Sequence, residues 1–271
     1  MSHPDRRVSV VTGGALGIGG AISRRLAADG DHVLLVDIDA EAAEATASEI
    51  KASGGTVEVV VGDASADETV AEVTAAVERS GRVDVLVNNV GDFRPASKTF
   101  LHSSPEHWQR LYEVNLLHVI KMTHALLPTM VAQGSGAIVN NSTVEAFRGI
   151  PGHVVYSAYN AGVSAFTKSL AVEVGRHGIR VNAIAPDLAD TPQTSRAAML
   201  RGRDPELVKH WIPLGHFGEV ADYASVVAFL ASEEARFVTG HTVPVDGGTL
   251  AASGWYGRVD GKGWTNMPDQ P

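Results

Sequence analysis

Between Asn140 and Gly162 the chain reads NNSTVEAFRGIPGHVVYSAYNAG, with a hydroxyl at Thr143, a phenol thirteen residues later at Tyr156 and a carboxamide at Asn160. If the second half is helical, Tyr156 and Asn160 project from one face, a turn apart. The apolar run Ala137-Ile138-Val139 predicts a strand that delivers Thr143 to its C-terminal end. In open parallel sheets that is where ligands bind. A hydroxyl and a phenol brought together there can polarise a carbonyl and pass it a proton.

Positioning such groups requires a scaffold, and the N-terminal third supplies one. The β-branched run RVSVVT (7–12) leads at once into TGGALGIGG, after which Ile18, Ile22 and Leu26 recur at helical spacing up to Gly30. Strand, glycine turn and helix form the context of a dinucleotide site. Gly13 allows the tight turn, Gly17 lets the backbone approach a pyrophosphate, Gly19 permits close helix-to-sheet packing, and the helix N-terminus offers N–H groups to phosphates. The next strand, HVLLVDID (32–39), is continuously apolar in its middle, as expected of a parallel strand buried on both faces. It ends in Asp37, where an acid accepts hydrogen bonds from ribose hydroxyls and repels a 2'-phosphate.

Strands and helices continue to alternate to the end of the chain, without repeats or linkers. The expectation is an α/β fold: one Rossmann-type, doubly wound domain over residues 1–271, with about seven mostly parallel strands flanked by helices. A long helix is expected from Ser104 to about Gln133. Residues 187–218 are irregular apart from one short helix at 205–211 and suggest a substrate lid, toward which Met199, Leu207 and Trp211 either face or pack down. The Gly-rich tail, 249–271, carries Trp255, Tyr256 and Trp264 and is expected to dock on protein.

Composition narrows the function. Lys+Arg number 22 against 31 Asp+Glu, a formal charge of -9 with no basic cluster, so no nucleic-acid partner is expected. Without cysteine there are no disulfides, thiol nucleophiles or thiolate metal sites. The eleven histidines are scattered without ligand spacing; they read as surface or loop residues, and no metal is expected. The N-terminus has no signal-peptide pattern, and no apolar run approaches the roughly 20 residues that span a bilayer. A soluble, cytoplasmic protein without membrane contact is the expectation.

Taken in order, the motifs resemble the short-chain dehydrogenase/reductase family, over roughly Arg7 to Gly248. The glycine turn has the family's G-x-x-x-G-x-G spacing; Asn88-Asn89-Val90-Gly91 is similar to its N-N-A-G, Asn115 in YEVNL to its helix Asn, and the closing T-G-x-x-x-x-V-D-G-G matches through Gly248. The resemblance implies Tyr156 as general acid or base, Thr143 at the serine position as the group binding the substrate oxygen, and Asn115 as holder of a water that joins the site to solvent. Cofactor contacts implied in the same way are Gly13, Gly17, Ile18, Gly19, Asp37, Asp63, Asn89, Gly91, Tyr156, Asn160, Pro186, Leu188 and Thr191, with Asp63 readable equally as a helix cap. Ala15, Leu16 and Ile38 are uncharged where users of the phosphorylated nucleotide often carry Arg or Lys, which with Asp37 points to NAD as cofactor.

The family's lysine, which holds the nicotinamide ribose and lowers the tyrosine pKa, falls on Asn160, and Asp187 stands in place of a glycine. A free Tyr titrates at about 10, so a phenol without a cation is a poor base near neutrality. Three resolutions stay open: assistance from the positive oxidised nicotinamide, another cation (Arg148 or His153 close by, or Lys168 about 18 Å along the helix), or cofactor binding with little catalysis. The leading reading is an NAD-dependent oxidoreductase of hydrophobic secondary alcohols or ketones, hydroxysteroid- or ring-alcohol-like. The alternatives are a 3-oxoacyl thioester reductase and, from another class, a catalytically weak NAD-binding or interaction subunit. The resemblance also implies a homotetramer or homodimer.

Overall fold

The computed structural model describes residues 6–94, 98–252 and 254–265. Strand and helix alternate through β1 (Val8–Thr12), α1 (Gly17–Ala28), β2 (His32–Asp37), α2 (Ala40–Ala52), β3 (Thr56–Val61), α3 (Asp67–Ser80), β4 (Val85–Asn88), α4 (Pro105–Tyr112), α5 (His118–Gln133), β5 (Gly136–Asn141), α6 (Val154–Val174) and β6 (Ile179–Pro186). Two short helices, α7 (Arg196–Leu200) and α8 (Val208–Trp211), precede α9 (Val220–Ala231), β7 (Thr242–Val245), α10 (Thr249–Ala252) and a ribbon of β8 (Tyr256–Gly257) and β9 (Trp264–Thr265).

Seven strands make one parallel sheet in the order β3-β2-β1-β4-β5-β6-β7. The order reverses between β1 and β4, and the crevice that this opens at the carboxyl ends of the strands is the ligand position of doubly wound sheets. The apolar strands are buried on both faces because successive residues feed opposite cores. Val11 and Leu35 pack with Ile22, Ile50 and Val227 on one side. Val10 and Leu34 pack with Val77, Met122 and Leu170 on the other. Across the second face runs a buried polar ladder: Asn88 Nδ2 donates to Thr123 Oγ1 and Asn140 Oδ1, and Asn140 Nδ2 donates to Thr167 Oγ1 on α6. It fixes α6, and so Tyr156, against the middle of the sheet.

The helix expected from 104 to 133 is present with an interruption. One π-turn, Glu113–Leu117, joins α4 to α5, a widening found mostly at functional sites. Asn115 lies in it and donates to the Leu111 carbonyl. One turn on, His118 is 1 % exposed, which corrects the reading of every histidine as a surface or loop residue. Burial lowers its pKa from 6.5 to about 4. The unfolded chain therefore takes up a proton near pH 6.5 that the folded chain refuses until about pH 4. Stability held above that window is lost as pH falls through it, up to about 3 kcal/mol. Urea melts of wild type and His118→Leu at pH 7 and 4.5 test this; a variant with the same acid loss as wild type would remove His118 as the cause.

Residues 187–218 form a small layer with its own core of Leu200, Val208, Ile212 and Phe217, on which Met199 and Trp211 pack. The single short helix expected at 205–211 is a 3₁₀ turn running into α8, and α7 is additional to it. The tail folds back as the β8–β9 ribbon, with Gly257 close against His210 of α8. Trp255 is half exposed there.

Candidate active site

One cleft of ≈ 770 Å³ runs across the carboxyl ends of the strands, from Asp37 at one end to Tyr156 and Met199 at the other. All thirteen residues expected to contact the cofactor line it, and so does Thr143. Asn115 does not line it, but lies behind the Asp92 wall.

At the nucleotide end, Gly13 and Gly17 take left-handed backbone conformations, at φ 62 and 54. Gly19 must be glycine because a Cβ there would meet the Gly13 carbonyl oxygen at 1.9 Å. Asn89 clamps the turn: its Nδ2 donates to the carbonyls of Thr12 and Gly13. Asp37 holds the turn from the other side, accepting from Ala15 N at 3.0 Å and from Asp39 N at 3.1 Å. Asp63 accepts from the Ser65 amide and hydroxyl and pairs with Arg110 at 3.6 Å; these bonds hold its carboxyl below the usual range against the opposing effect of burial. The cap of α3 is Ala66, so Asp63 is not a helix cap. The cleft thus offers a glycine cradle with free N–H groups and an acid at the ribose position, a donor set that fits an adenine dinucleotide.

At the far end, β5 delivers Thr143 and α6 delivers Tyr156, as the residue pattern predicts. The Thr143 hydroxyl faces the Pro186 carbonyl at 3.5 Å, accepts from Glu145 N at 3.3 Å, and lies near enough to Tyr156 to favour its ionised form. Phe93 and His153 pack edge-on to the Tyr156 ring, with centroids at 6.2 and 6.4 Å. Asn115 braces the wall beside them, donating to the Asp92 carbonyl and accepting from Asp92 N. Thr191 reaches back to the glycine turn and bonds with Thr194 at 2.9 Å.

Asn160 is buried, and its Nδ2 donates to the Tyr156 carbonyl of its own helix at 3.0 Å. Its own carbonyl accepts from Ser142 Oγ. Neither neighbouring cation is available to the Tyr156 phenol. Arg148 is held by Glu145 at 3.0 Å and Asp187 at 2.7 Å. Burial holds His153 below its ordinary pKa, so its ring is neutral at pH 7. Lys168 lies outside the cleft lining. Burial first, and then the charges of Glu145, Asp92 and Asp187, push the Tyr156 phenol up to about 12, against the effect of the Thr143 hydroxyl.

Asp187 causes no backbone strain; the left-handed residue is its neighbour Leu188, at φ 43. The Asp187 carboxylate is occupied by Arg148 and by the Thr249 hydroxyl, and its carbonyl accepts from Tyr223 OH. Sequence reading missed Glu145, although it stands two residues after Thr143, a position from which a strand-end side chain reaches the same crevice. It also missed Phe93, for which the apolar character of a loop residue was the only signal.

The family profile described as Enoyl-(Acyl carrier protein) reductase matches residues 13–249. The chain belongs to the short-chain dehydrogenase/reductase family. It is 38% identical over 256 residues to the levodione reductase of Leifsonia aquatica, covering 91% of this chain and 95% of that one. It is 37% identical over 245 residues to a 3-oxoacyl-[acyl-carrier-protein] reductase of Thermotoga maritima, covering 90% and 98%. With the 7alpha-hydroxysteroid dehydrogenase of Bacteroides fragilis it shares 34% over 253 residues, covering 92% and 96%. Among solved structures, levodione reductase superposes with a TM-score of 0.83 at 36% identity, over 91% of this chain and 98% of the other. An actinorhodin polyketide ketoreductase with NADPH superposes at 0.85 and 31%, over 92% and 99%. As a family member the chain is an NAD(P)(H)-binding oxidoreductase acting on CH–OH and keto groups.

Proposed function

We propose that the chain is an NAD-dependent oxidoreductase that interconverts hydrophobic secondary alcohols and ketones of ring or steroid type. The observation that carries this is the single cleft joining Asp37 and the glycine turn to the Thr143–Tyr156 pair. When bound, the nicotinamide supplies the redox chemistry. The chain's part is to orient and to move one proton. Thr143 holds the carbonyl oxygen, Tyr156 gives it a proton or takes one back, and Asn115 braces the wall beside them. Asn160 stands at the family's lysine position and carries no charge, while Thr143 at the serine position keeps the hydroxyl. Leu188 to Thr191 and Pro186 hold the nicotinamide end, and residues 187–218 act as the lid of a single domain. Relatives named for levodione and 7alpha-hydroxysteroid support ring substrates. Relatives named 3-oxoacyl-[acyl-carrier-protein] reductase support a second reading, reduction of 3-oxoacyl thioesters. A cytoplasmic homotetramer or homodimer completes the proposal, which light scattering on purified protein tests.

Preference for NAD over NADP rests on the Asp37 end. Its carboxylate is fixed toward the turn, Leu16 and Ile38 beside it are exposed and uncharged, and Arg110 is engaged by Asp63 and Glu113. A 2'-phosphate would meet a carboxylate with no free cation among the described cleft residues at that end. The expected Kd for NADH is at least about tenfold below that for NADPH, or about 1.4 kcal/mol, and Asp37→Ala should narrow the ratio. Fluorescence titration of both nucleotides measures it; tighter binding of NADPH by wild type rejects the assignment.

A further inference from the structure

The Thr143 hydroxyl is gripped by backbone from two sides. It accepts from Glu145 N at 3.3 Å and faces the Pro186 carbonyl at 3.5 Å. These two points belong to different elements, the turn after β5 and the end of β6. One side chain ties them together. Nη2 of Arg148 donates to Glu145 Oε1 at 3.0 Å and to Asp187 Oδ2 at 2.7 Å. Thr143, Glu145, Arg148, Asp187 and Pro186 therefore close into a ring that begins and ends at the hydroxyl.

The two carboxylates in the ring are unequal anchors. Asp187 is the fixed one: its carbonyl accepts from Tyr223 OH of α9 at 2.7 Å, and its Oδ2 also accepts from the Thr249 hydroxyl. The turn after β5 is packed more loosely. Phe147 is 44% exposed, and a Cβ placed on Gly149 or Gly152 would meet no atom within 4 Å. Arg148 thus carries the loose side of the ring to the fixed one. The Glu145 and Asp187 side chains are 11% and 9% exposed, so both ion pairs are weakly screened and charge-assisted. A glycine at position 187 would leave the ring open, since it has no carboxylate to offer the guanidinium.

We propose that Arg148 is a positioning residue, which through Glu145 and Asp187 holds the Thr143 hydroxyl at the place where the substrate oxygen binds. This rests on the oxidoreductase reading, in which Thr143 holds that oxygen, and adds what fixes it there. A displacement of about 1 Å at a reacting group costs up to about 10²-fold in rate, so a lock on this hydroxyl acts on turnover as well as on stability.

The test is a double-mutant cycle. Reduction of cyclohexanone and 2-tetralone by NADH at pH 7 is measured for wild type, Arg148→Met, Arg148→Lys, Thr143→Val and Thr143→Val/Arg148→Met. The direction and the pH isolate geometry: the Tyr156 phenol, pushed up to about 12, is protonated at pH 7 whether or not the guanidinium is present. Arg148→Met is expected to lower kcat by about 10- to 10²-fold. Arg148→Lys, which keeps the charge and has donors for both carboxylates, should recover part of that loss. In the Thr143→Val background the methionine should cost less than about threefold, because the group that Arg148 positions is gone. If Arg148→Met does not fold, Asp187→Gly opens the ring at its other end and enters the same cycle. Losses that multiply across the cycle overturn the proposal, and so does an Arg148→Met enzyme as fast as wild type. Hydrogen exchange of the segment 143–148 gives a readout independent of turnover, expected to be at least about tenfold faster in Arg148→Met. A wild type that reduces neither ketone removes the ring-ketone reading; faster exchange in Arg148→Met then still supports the lock, and unchanged exchange overturns it.

Discussion

Tyr156→Phe is expected to lower kcat by about 10²- to 10⁴-fold, the range that a positioned general acid or base contributes, while leaving the Kd for NADH within about threefold. The substitution removes one oxygen and keeps the ring. The edge-on packing against Phe93 and His153 survives it, so the fold and the cleft stay as they are. The proposed nucleotide contacts at the glycine turn and Asp37 are untouched by the substitution. A mutant that binds NADH normally and turns over slowly is thus the signature of a lost proton, and not of a damaged site. Thr143→Val makes the complementary test. It preserves the β-branched shape just past the end of β5 and deletes the hydroxyl proposed to hold the substrate oxygen, for which a loss of about 10²-fold or more follows from the removal of one such donor. Steady-state rates on a panel of ring alcohols and ketones measure both. Equal rates for wild type and Tyr156→Phe would take the phenol out of the mechanism.

The sequence made the nucleotide half legible because its signals are local. Strand, glycine turn, helix and terminal acid lie within residues 7–39, and each has a backbone reason to be where it is. Asn89, 77 residues from the turn it clamps, was readable only through the N-N-A-G resemblance, and Asn88, its neighbour, turns instead into the ladder with Asn140 and Thr123. The substrate half was less legible because its decisive contacts span long stretches of chain. Arg148 meets Asp187 across 39 residues, and nothing in the spacing of either indicates that they neutralise each other. The sequence therefore offered Arg148 as a free cation, whereas the fold consumes it. The π-turn at 113–117 was hidden for a different reason. One extra residue in a turn barely disturbs apolar periodicity, and only the side chain of Asn115, filling the carbonyl that the widened turn exposes, betrays it. Asp187, which stands in place of a glycine, keeps an ordinary backbone; the left-handed conformation falls one residue later, at Leu188, whose carbonyl is held by Gly218 N.

An uncharged side chain at position 160 has a directional consequence. With Glu145, Asp92 and Asp187 around it and its phenol desolvated, Tyr156 keeps its proton up to about pH 12. A protonated phenol is ready to give a proton to a carbonyl oxygen, so ketone reduction is expected to be flat from about pH 6 to 9. Alcohol oxidation needs the phenolate, which at pH 7 is about one part in 10⁵ for such a group. Oxidation kcat/KM should therefore climb by about tenfold per pH unit across the same range, with no plateau below pH 10. Asn160→Lys tests the cause. Asn160 is one turn from Tyr156 and now spends its amide on the helix carbonyl; a lysine there would place an ammonium beside the phenol, and an opposite charge at that range lowers a pKa by about 1–3 units. The basic limb of oxidation should move down by at least about one unit, raising the rate at pH 7 by tenfold or more, while reduction at pH 7 changes little because the acid form still predominates. A limb that stays where wild type has it would mean that Asn160 does not limit ionisation of Tyr156, and that the three carboxylates and burial alone set it. Glu145→Gln then becomes the discriminating variant, since it removes the charge with the largest effect of the three without adding a cation.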